Sequence, residues 1–251
     1  MRFAYDSAYK VMAPILIALA MSTGALAGEV SVAAAANFRA TMKALAEDFE
    51  DETGHKASLS FGSTGKLYAQ ILHGAPFEVF LAADQRRPRL LREKRLVKDR
   101  HTYAIGKLVL WRGDGERKVD RNTLAEGAYH RVALANPRNA PYGAAALTVL
   151  ERLGVADKVP VAKRVRGDNV AQAYQFVATG NADIGFVALS QVMGKDGGSV
   201  WRIPEALYEP IRQDAVLLAR GEDNPAARAL FDYLKRDAAQ GVIRRYGYGI
   251  Q

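Results

Sequence analysis

The sequence predicts an α/β fold of two similar lobes, each a mainly parallel sheet flanked by helices. Three observations carry this. Apolar or alternating runs are repeatedly followed by a small polar turn and then by an apolar stripe at helical spacing. These βα units come in two similar series, which favours parallel sheets joined by helical crossovers. The length, 251 residues, suits one large domain or two lobes of roughly 100–150 residues.

In the first series Val30–Ala35 reads as a strand, and Phe38, Met42, Leu45 and Phe49 then share one helix face. Ala57–Phe61 reads as the second strand, followed by Gly62-Ser63-Thr64-Gly65 and a helix carrying Leu67, Ile71 and Leu72. Val79–Ala82 is the third strand and leads into a charged helix around Arg89. Tyr103–Trp111 is long, apolar and β-branched, so it reads as one strand ending at the Gly113-Asp114-Gly115 turn, where the lobe boundary is expected.

The second series begins with a strand at Arg131–Ala135, a turn from Asn136 to Gly143, and a stripe of Ala146, Val149, Leu150 and Leu153. Lys163–Val165 precedes Gly167-Asp168-Asn169 and a helix bearing Val170, Ala173, Tyr174 and Val177. Ile184–Val187 and Val216–Leu218 read as strands, and Ala227, Leu230, Phe231 and Leu234 mark a late helix.

Composition narrows the function classes. There is no cysteine, which excludes a disulfide framework, a thiolate metal site and a cysteine nucleophile. The 35 Lys+Arg exceed the 27 Asp+Glu, for a net charge of +8. The densest basic stretch, Arg86 to Arg100, is interrupted by Glu93 and Asp99, so it reads as a solvated helix face rather than a track for nucleic acid. A mild positive field favouring small anions is the better reading of the excess.

Residues 1–27 read as an export signal. Arg2 and Lys10 precede the apolar run Val11–Ala20, and Ala25-Leu26-Ala27 has the small-x-small form of a signal-peptidase site. The apolar run is too short for a comfortable membrane span, which needs about 20 residues. Cleavage after Ala27 gives an exported chain, most simply periplasmic.

In such sheets ligands sit at the carboxyl ends of strands, where turns lead into helix N-termini. Four junctions suit this: Ala36-Asn37, Gly62-Ser63-Thr64-Gly65, Asn139-Ala140-Pro141-Tyr142-Gly143 and Asp168-Asn169-Val170. Each offers unpaired N–H groups at the positive end of a helix dipole, with Ser63 and Thr64 adding hydroxyl donors and Asn37 an amide. N-capping explains any one junction alone. Four together suggest an anion pocket built from neutral donors.

Other constellations are incomplete. Ser63-Thr64-Gly65-Lys66 matches S-x-x-K, the nucleophile motif of serine acylases, but Gly167-Asp168-Asn169 stands for S-D-N and no K-T-G occurs. No phosphate-binding P-loop or H-E-x-x-H pattern is present, and His55, His73, His101 and His130 lack metal-ligand spacing. An acyltransferase using Ser63 and Lys66, or a binder of nucleic acid or membrane driven by charge, remain the readings from other classes.

The mature chain resembles the periplasmic molybdate-binding proteins of ABC-type importers. The resemblance rests on Val32-Ala-Ala-Ala-Ala-Asn37-Phe38, Phe61-Gly-Ser-Thr-Gly65, Gly74-Ala-Pro76, Ala82-Ala-Asp84 and Tyr103–Trp111. Asn136-Pro-Arg-Asn-Ala-Pro-Tyr-Gly143, Asp168-Asn-Val170 and Gly180–Val187 complete it, in order and at spacings that run from Gly28 to the end.

The resemblance implies a two-lobed periplasmic-binding-protein fold with ligand in the interlobe cleft. The first lobe would be 28–107 with a return segment at 214–251, and the second lobe 108–213, with strands near Lys107–Leu110 and Gln213–Val216 crossing the hinge. It implies capture of molybdate or tungstate and delivery to a membrane permease, by a monomer with no catalysis, no resident cofactor and no nucleic-acid partner. The alternative is the same fold binding another tetrahedral oxyanion, such as sulfate, phosphate or chromate. Carried over by position, the oxyanion would be held by Asn37 or the adjacent Ala36 N–H, by Thr64 with Ser63, and by the N–H groups of Tyr142 and Val170. Molybdenum would be bound as the oxyanion, with no side chain ligating the metal. Some members place a ligand-binding tyrosine where this chain has Ala188, and an alanine where it has Tyr142.

Overall fold

The computed structural model describes residues 27–115, 117–195 and 197–250. Most of the segment read as an export signal therefore lies outside the described residues. Among the described residues no helix is long and apolar enough to cross a membrane.

The chain first lays down β1 (Glu29–Ala35), α1 (Arg39–Thr53), β2 (Lys56–Gly62), α2 (Thr64–Leu72), β3 (Val79–Leu81), α3 (Arg86–Glu93) and β4 (Val97–Gly106). It continues with β5 (Leu108–Arg112), α4 (Thr123–Glu126), β6 (Val132–Ala135), α5 (Pro141–Arg152), β7 (Arg164–Gly167), α6 (Val170–Ala178), β8 (Ile184–Ala188), α7 (Leu189–Val192) and β9 (Ser199–Arg202). Then come β10 (Ile211–Leu218), α8 (Pro225–Tyr233) and α9 (Asp237–Arg245).

Two five-stranded sheets result, in the orders β2-β1-β3-β10-β4 and β7-β6-β8-β5-β9. The designs match. In the first, β1 pairs parallel with β2 and β3, and β10 pairs antiparallel with β3 and β4. In the second, β6 pairs parallel with β7 and β8, and β5 pairs antiparallel with β8 and β9. Four strands of each sheet thus run one way and one runs against them. The opposed strand, β10 or β5, is in each case the one that enters from the other lobe.

Helices cover both faces of each sheet because their apolar stripes have nowhere else to go. Phe38, Met42, Leu45 and Phe49 are fully buried against Leu230 and Phe231 of α8 and Ile243 of α9, each side chain contributing about 1.5–3 kcal/mol. Leu67, Ile71 and Leu91 cover the other face. In the second lobe Val149 and Leu150 of α5 pack on one face, and Ala173 and Val177 of α6 on the other, beside a stacked Trp111–Tyr174 pair at 4.8 Å.

Three expectations need correction. Tyr103–Trp111 is two strands: β4 ends at Gly106, β5 starts at Leu108, and they lie in different sheets. The apolar pattern runs on unbroken because both strands are buried, but the hydrogen-bonding partners change from β10 to β8 across Lys107. The crossing therefore falls at Lys107, not at Gly113-Asp114-Gly115, which ends β5 within the second lobe. Leu72, placed on the apolar stripe of α2, is 39% exposed, because it is the last residue of that helix and clears the sheet. Gln213–Val216 lies wholly inside β10, and the return passes through the segment before Ile211.

Candidate anion-binding site

The carboxyl ends of the two sheets face one another across a small, tight cavity with about 10 Å³ of room for the centre of a water-sized sphere. Ala35, Ala36 and Asn37 reach it from the end of β1, and Gly62, Ser63 and Thr64 from the end of β2. Ala83 follows β3. From the second lobe come Ala140, Pro141 and Tyr142 at the start of α5, and Asn169 and Val170 at the start of α6. The six residues singled out in the sequence, Ala36, Asn37, Ser63, Thr64, Tyr142 and Val170, all line it. None of the described lining residues carries a charge.

The donors are positioned by local sequence. Ser63 caps α2, its hydroxyl oxygen accepting from the Lys66 N–H, and Asn169 caps α6, its side-chain oxygen accepting from Ala171 and Gln172. Pro141 opens α5 with its fixed φ and no N–H to satisfy. Among the described residues no acceptor meets the N–H groups of Thr64, Tyr142 and Val170, the first-turn donors that a helix cannot satisfy. The Thr64 hydroxyl oxygen accepts the Ala83 N–H at 3.0 Å. One of its lone pairs is thereby engaged and its proton is left to donate. Small residues at Ala36, Gly62, Ala83 and Ala140 let a ligand approach the backbone. Fixed N–H dipoles and hydroxyl donors converging from both lobes form a cradle for a small oxyanion.

The Asn37 side chain departs from expectation. Its amide donates to Gln213 Oε1 at 2.9 Å and to the Tyr248 hydroxyl at 3.1 Å, away from the cavity, so Asn37 faces the cavity with its backbone. The Tyr248 hydroxyl in turn donates to the Asn37 carbonyl at 2.8 Å, and Ser190 Oγ donates to the same carbonyl at 3.0 Å. Gln213 also accepts from Tyr103 at 3.0 Å and donates to the Tyr142 hydroxyl at 3.3 Å. Burial raises the Tyr103 and Tyr142 phenols well above their ordinary value and pushes Tyr248 up to about 12, so all three stay neutral. Sequence reasoning missed this layer. Its one trace is the polar pair Gln213-Asp214 inside a strand that is otherwise mostly apolar and buried.

The lobes touch around the cavity. The Gly65 N–H donates to the Asn139 carbonyl at 2.9 Å, Arg87 donates to the Arg138 carbonyl at 2.9 Å, and Lys66 pairs with Asp168 at 2.5 Å. Lys66 Nζ is thus committed to a carboxylate of the other lobe, and among the described residues Ser63 Oγ meets only the Lys66 backbone N–H, which is not a nucleophile–base dyad. Ala188 is fully buried and absent from the cavity wall. A wider groove opens beside the cavity and shares Ala83 and Pro141 with it. Arg86, Arg87, Arg89, Arg138 and Arg212 border it against only Asp84 and Glu209, so part of the charged face of α3 supplies the positive field at the cleft.

Two α/β lobes joined by two crossings, holding a nest of neutral donors between their facing strand ends, define a solute-binding protein. The family model described as bacterial extracellular solute-binding protein matches residues 30–249. The chain is 54% identical over 237 residues to the molybdate-binding protein ModA of Azotobacter vinelandii, covering 92% of this chain and 94% of that one. It is 47% identical over 236 residues to the molybdate-binding protein ModA of Rhodobacter capsulatus, covering 93% of each. The chain belongs to the ModA family of molybdate-binding proteins. Its fold superposes on the periplasmic molybdate-binding protein of A. vinelandii with a TM-score of 0.85 at 38% identity, over 88% of this chain and 99% of that one.

Proposed function

We propose that this protein captures molybdate, and tungstate as well, as an exported periplasmic carrier and delivers it to the membrane permease of an ABC importer. The observation that carries the reading is the convergence of four helix starts, two from each lobe, on one cavity without a charged side chain. Asn37 contributes its N–H, Ser63 and Thr64 their hydroxyls with the Thr64 N–H, and Tyr142 and Val170 their N–H groups. A ligand that engages both lobes favours the closed form, because only there does it gain the full set of donors. Neutral donors suit a carrier, which must release its cargo, since they bind a dianion without the deep Coulomb well of a buried lysine or arginine. Sulfate, the smaller tetrahedron, leaves donors unpaired at a cost of about 1–3 kcal/mol each.

On this reading the chain works as a monomer, its signal removed after Ala27, with no catalysis and no resident cofactor. Titration calorimetry with molybdate, tungstate, sulfate and phosphate tests it. Tight one-to-one binding of the first two with sulfate and phosphate silent is expected. Sulfate binding as tightly as molybdate sinks the assignment.

A further inference from the structure

Directly behind the cavity, one side chain of the second lobe is planted in the first. Tyr142 presents its backbone N–H to the cavity from α5, while its ring passes into the first lobe and is 2% exposed. There its hydroxyl accepts from Gln213 Nε2 at 3.3 Å. Gln213, fully buried in β10, is held from its other end by the Asn37 amide and the Tyr103 hydroxyl. One glutamine thus joins a cavity residue of the first lobe to a cavity residue of the second.

The seat under the ring is cut by Gly106, the last residue of β4. A Cβ there would stand 2.2 Å from the Tyr142 hydroxyl oxygen and 2.6 Å from Gln213 Nε2, far inside any contact distance. The depth to which the ring sinks onto Gly106 fixes where α5 stops, and with it the distance between the Tyr142 N–H and the donors of the first lobe. The hydroxyls involved are neutral, so the contact has no charge to be screened or titrated near neutral pH.

Resting on the oxyanion reading above, we infer that the Tyr142 ring seated on Gly106 against Gln213 is the stop that sets how far the lobes close, and so which size of tetrahedral oxyanion meets donors from both lobes. A smaller ion cannot draw the lobes past the stop, and some of its donors stay unpaired. A larger ion holds the ring off its seat and strands the buried Gln213 N–H. Size is then rejected from both sides by a contact that never touches the ligand.

The test is a ratio of affinities, which a uniform loss of stability or of closure energy leaves unchanged. Tyr142→Phe removes the hydroxyl and deepens the seat, and the molybdate-over-sulfate preference should narrow by about tenfold. Gly106→Ala added to Tyr142→Phe loses the 2.2 Å clash and refills the seat, the new Cβ lying 2.9 Å from the ring Cζ and 2.6 Å from Gln213 Nε2, so the preference should move back toward the native value. Gly106→Ala alone raises the seat, so molybdate affinity should fall at least about tenfold, and small-angle scattering at saturating molybdate should show lobes further apart than in the native complex. A Tyr142→Phe protein that is folded by thermal melt and keeps the native preference overturns the stop, as does a Gly106→Ala protein with native affinity. If the native protein itself ignores molybdate, the oxyanion reading fails at the first titration. If it binds and the preference does not move, only the stop fails.

Discussion

Replacing Thr64 by valine removes one oxygen from a side chain that is 1% exposed, with almost no change of shape. That oxygen has two duties. It accepts the Ala83 N–H at 3.0 Å, and on the proposed reading it donates its proton to the anion in the cavity that Thr64 lines. The first duty belongs to the folded chain with or without ligand, and losing it orphans a buried N–H at about 1–2 kcal/mol of stability. The second belongs only to the complex. A hydrogen bond to a charged acceptor contributes about 1.5–3 kcal/mol, so molybdate affinity should fall roughly 10- to 150-fold. Urea unfolding of the ligand-free protein reads the first quantity and calorimetry the second. Thr64→Ser keeps both duties and should stay within about threefold in affinity. A Thr64→Val protein that loses stability while binding molybdate as tightly as the native one would show that the hydroxyl proton points elsewhere, and the donor assignment at this junction would fall.

His101 provides a pH signature. Burial, reinforced by the Lys235 charge, lowers its pKa to about 4, and among the described residues neither ring nitrogen has a hydrogen-bond partner beside the Phe231 ring. The fold favours the neutral ring, so the unfolded chain binds more protons between about pH 6.5 and 4, and stability drops as pH falls through that window. His101→Phe should flatten the drop by about 1–2 kcal/mol, allowing for the ring's partial exposure, when native and variant denaturation curves are compared at pH 7 and pH 4. Gly143→Ala places a Cβ 2.2 Å from the Ala135 carbonyl oxygen, so α5 must move off the end of β6; calorimetry should show molybdate affinity reduced by more than about tenfold. Lys66→Ala breaks a half-exposed interlobe pair and should cost no more than about 1 kcal/mol of molybdate binding, with the difference from native vanishing in high salt.

Much of the fold is legible because its signals are local. Phe38, Met42, Leu45 and Phe49 announce the buried face of the first helix, and Ser63, Asn169 and Pro141 mark the starts of α2, α6 and α5. The same caps that punctuate the helices place their first N–H groups at the cavity, so the junctions were readable as donors. Which sheet a strand joins is a different kind of information. Nothing in the alternation of Tyr103–Trp111 says that pairing changes at Lys107, since both partners bury the strand equally. β9 leaves no legible signal because four residues, alternately half-buried and exposed, make too short a pattern. The layer behind the cavity depends on contacts between Asn37 and residues 176 and 211 positions away, where no spacing rule reaches.

The interleaving of the strands also dictates an order of assembly. Every strand of the second sheet lies between Leu108 and Arg202, so that lobe can complete itself from one continuous stretch of chain. The first lobe cannot. β10 sits between β3 and β4, and α8 and α9 roof the face on which Phe38 and Met42 pack. Until the C-terminal segment from Ile211 onward is available, β3 and β4 have no shared neighbour and the core beneath them stays open to water. The lobe encoded first is thus finished last, through contacts of long sequence separation that are slow to form. A chain cut short before Ile211 would carry one finished lobe and one exposed half-sheet, the kind of edge on which chains aggregate.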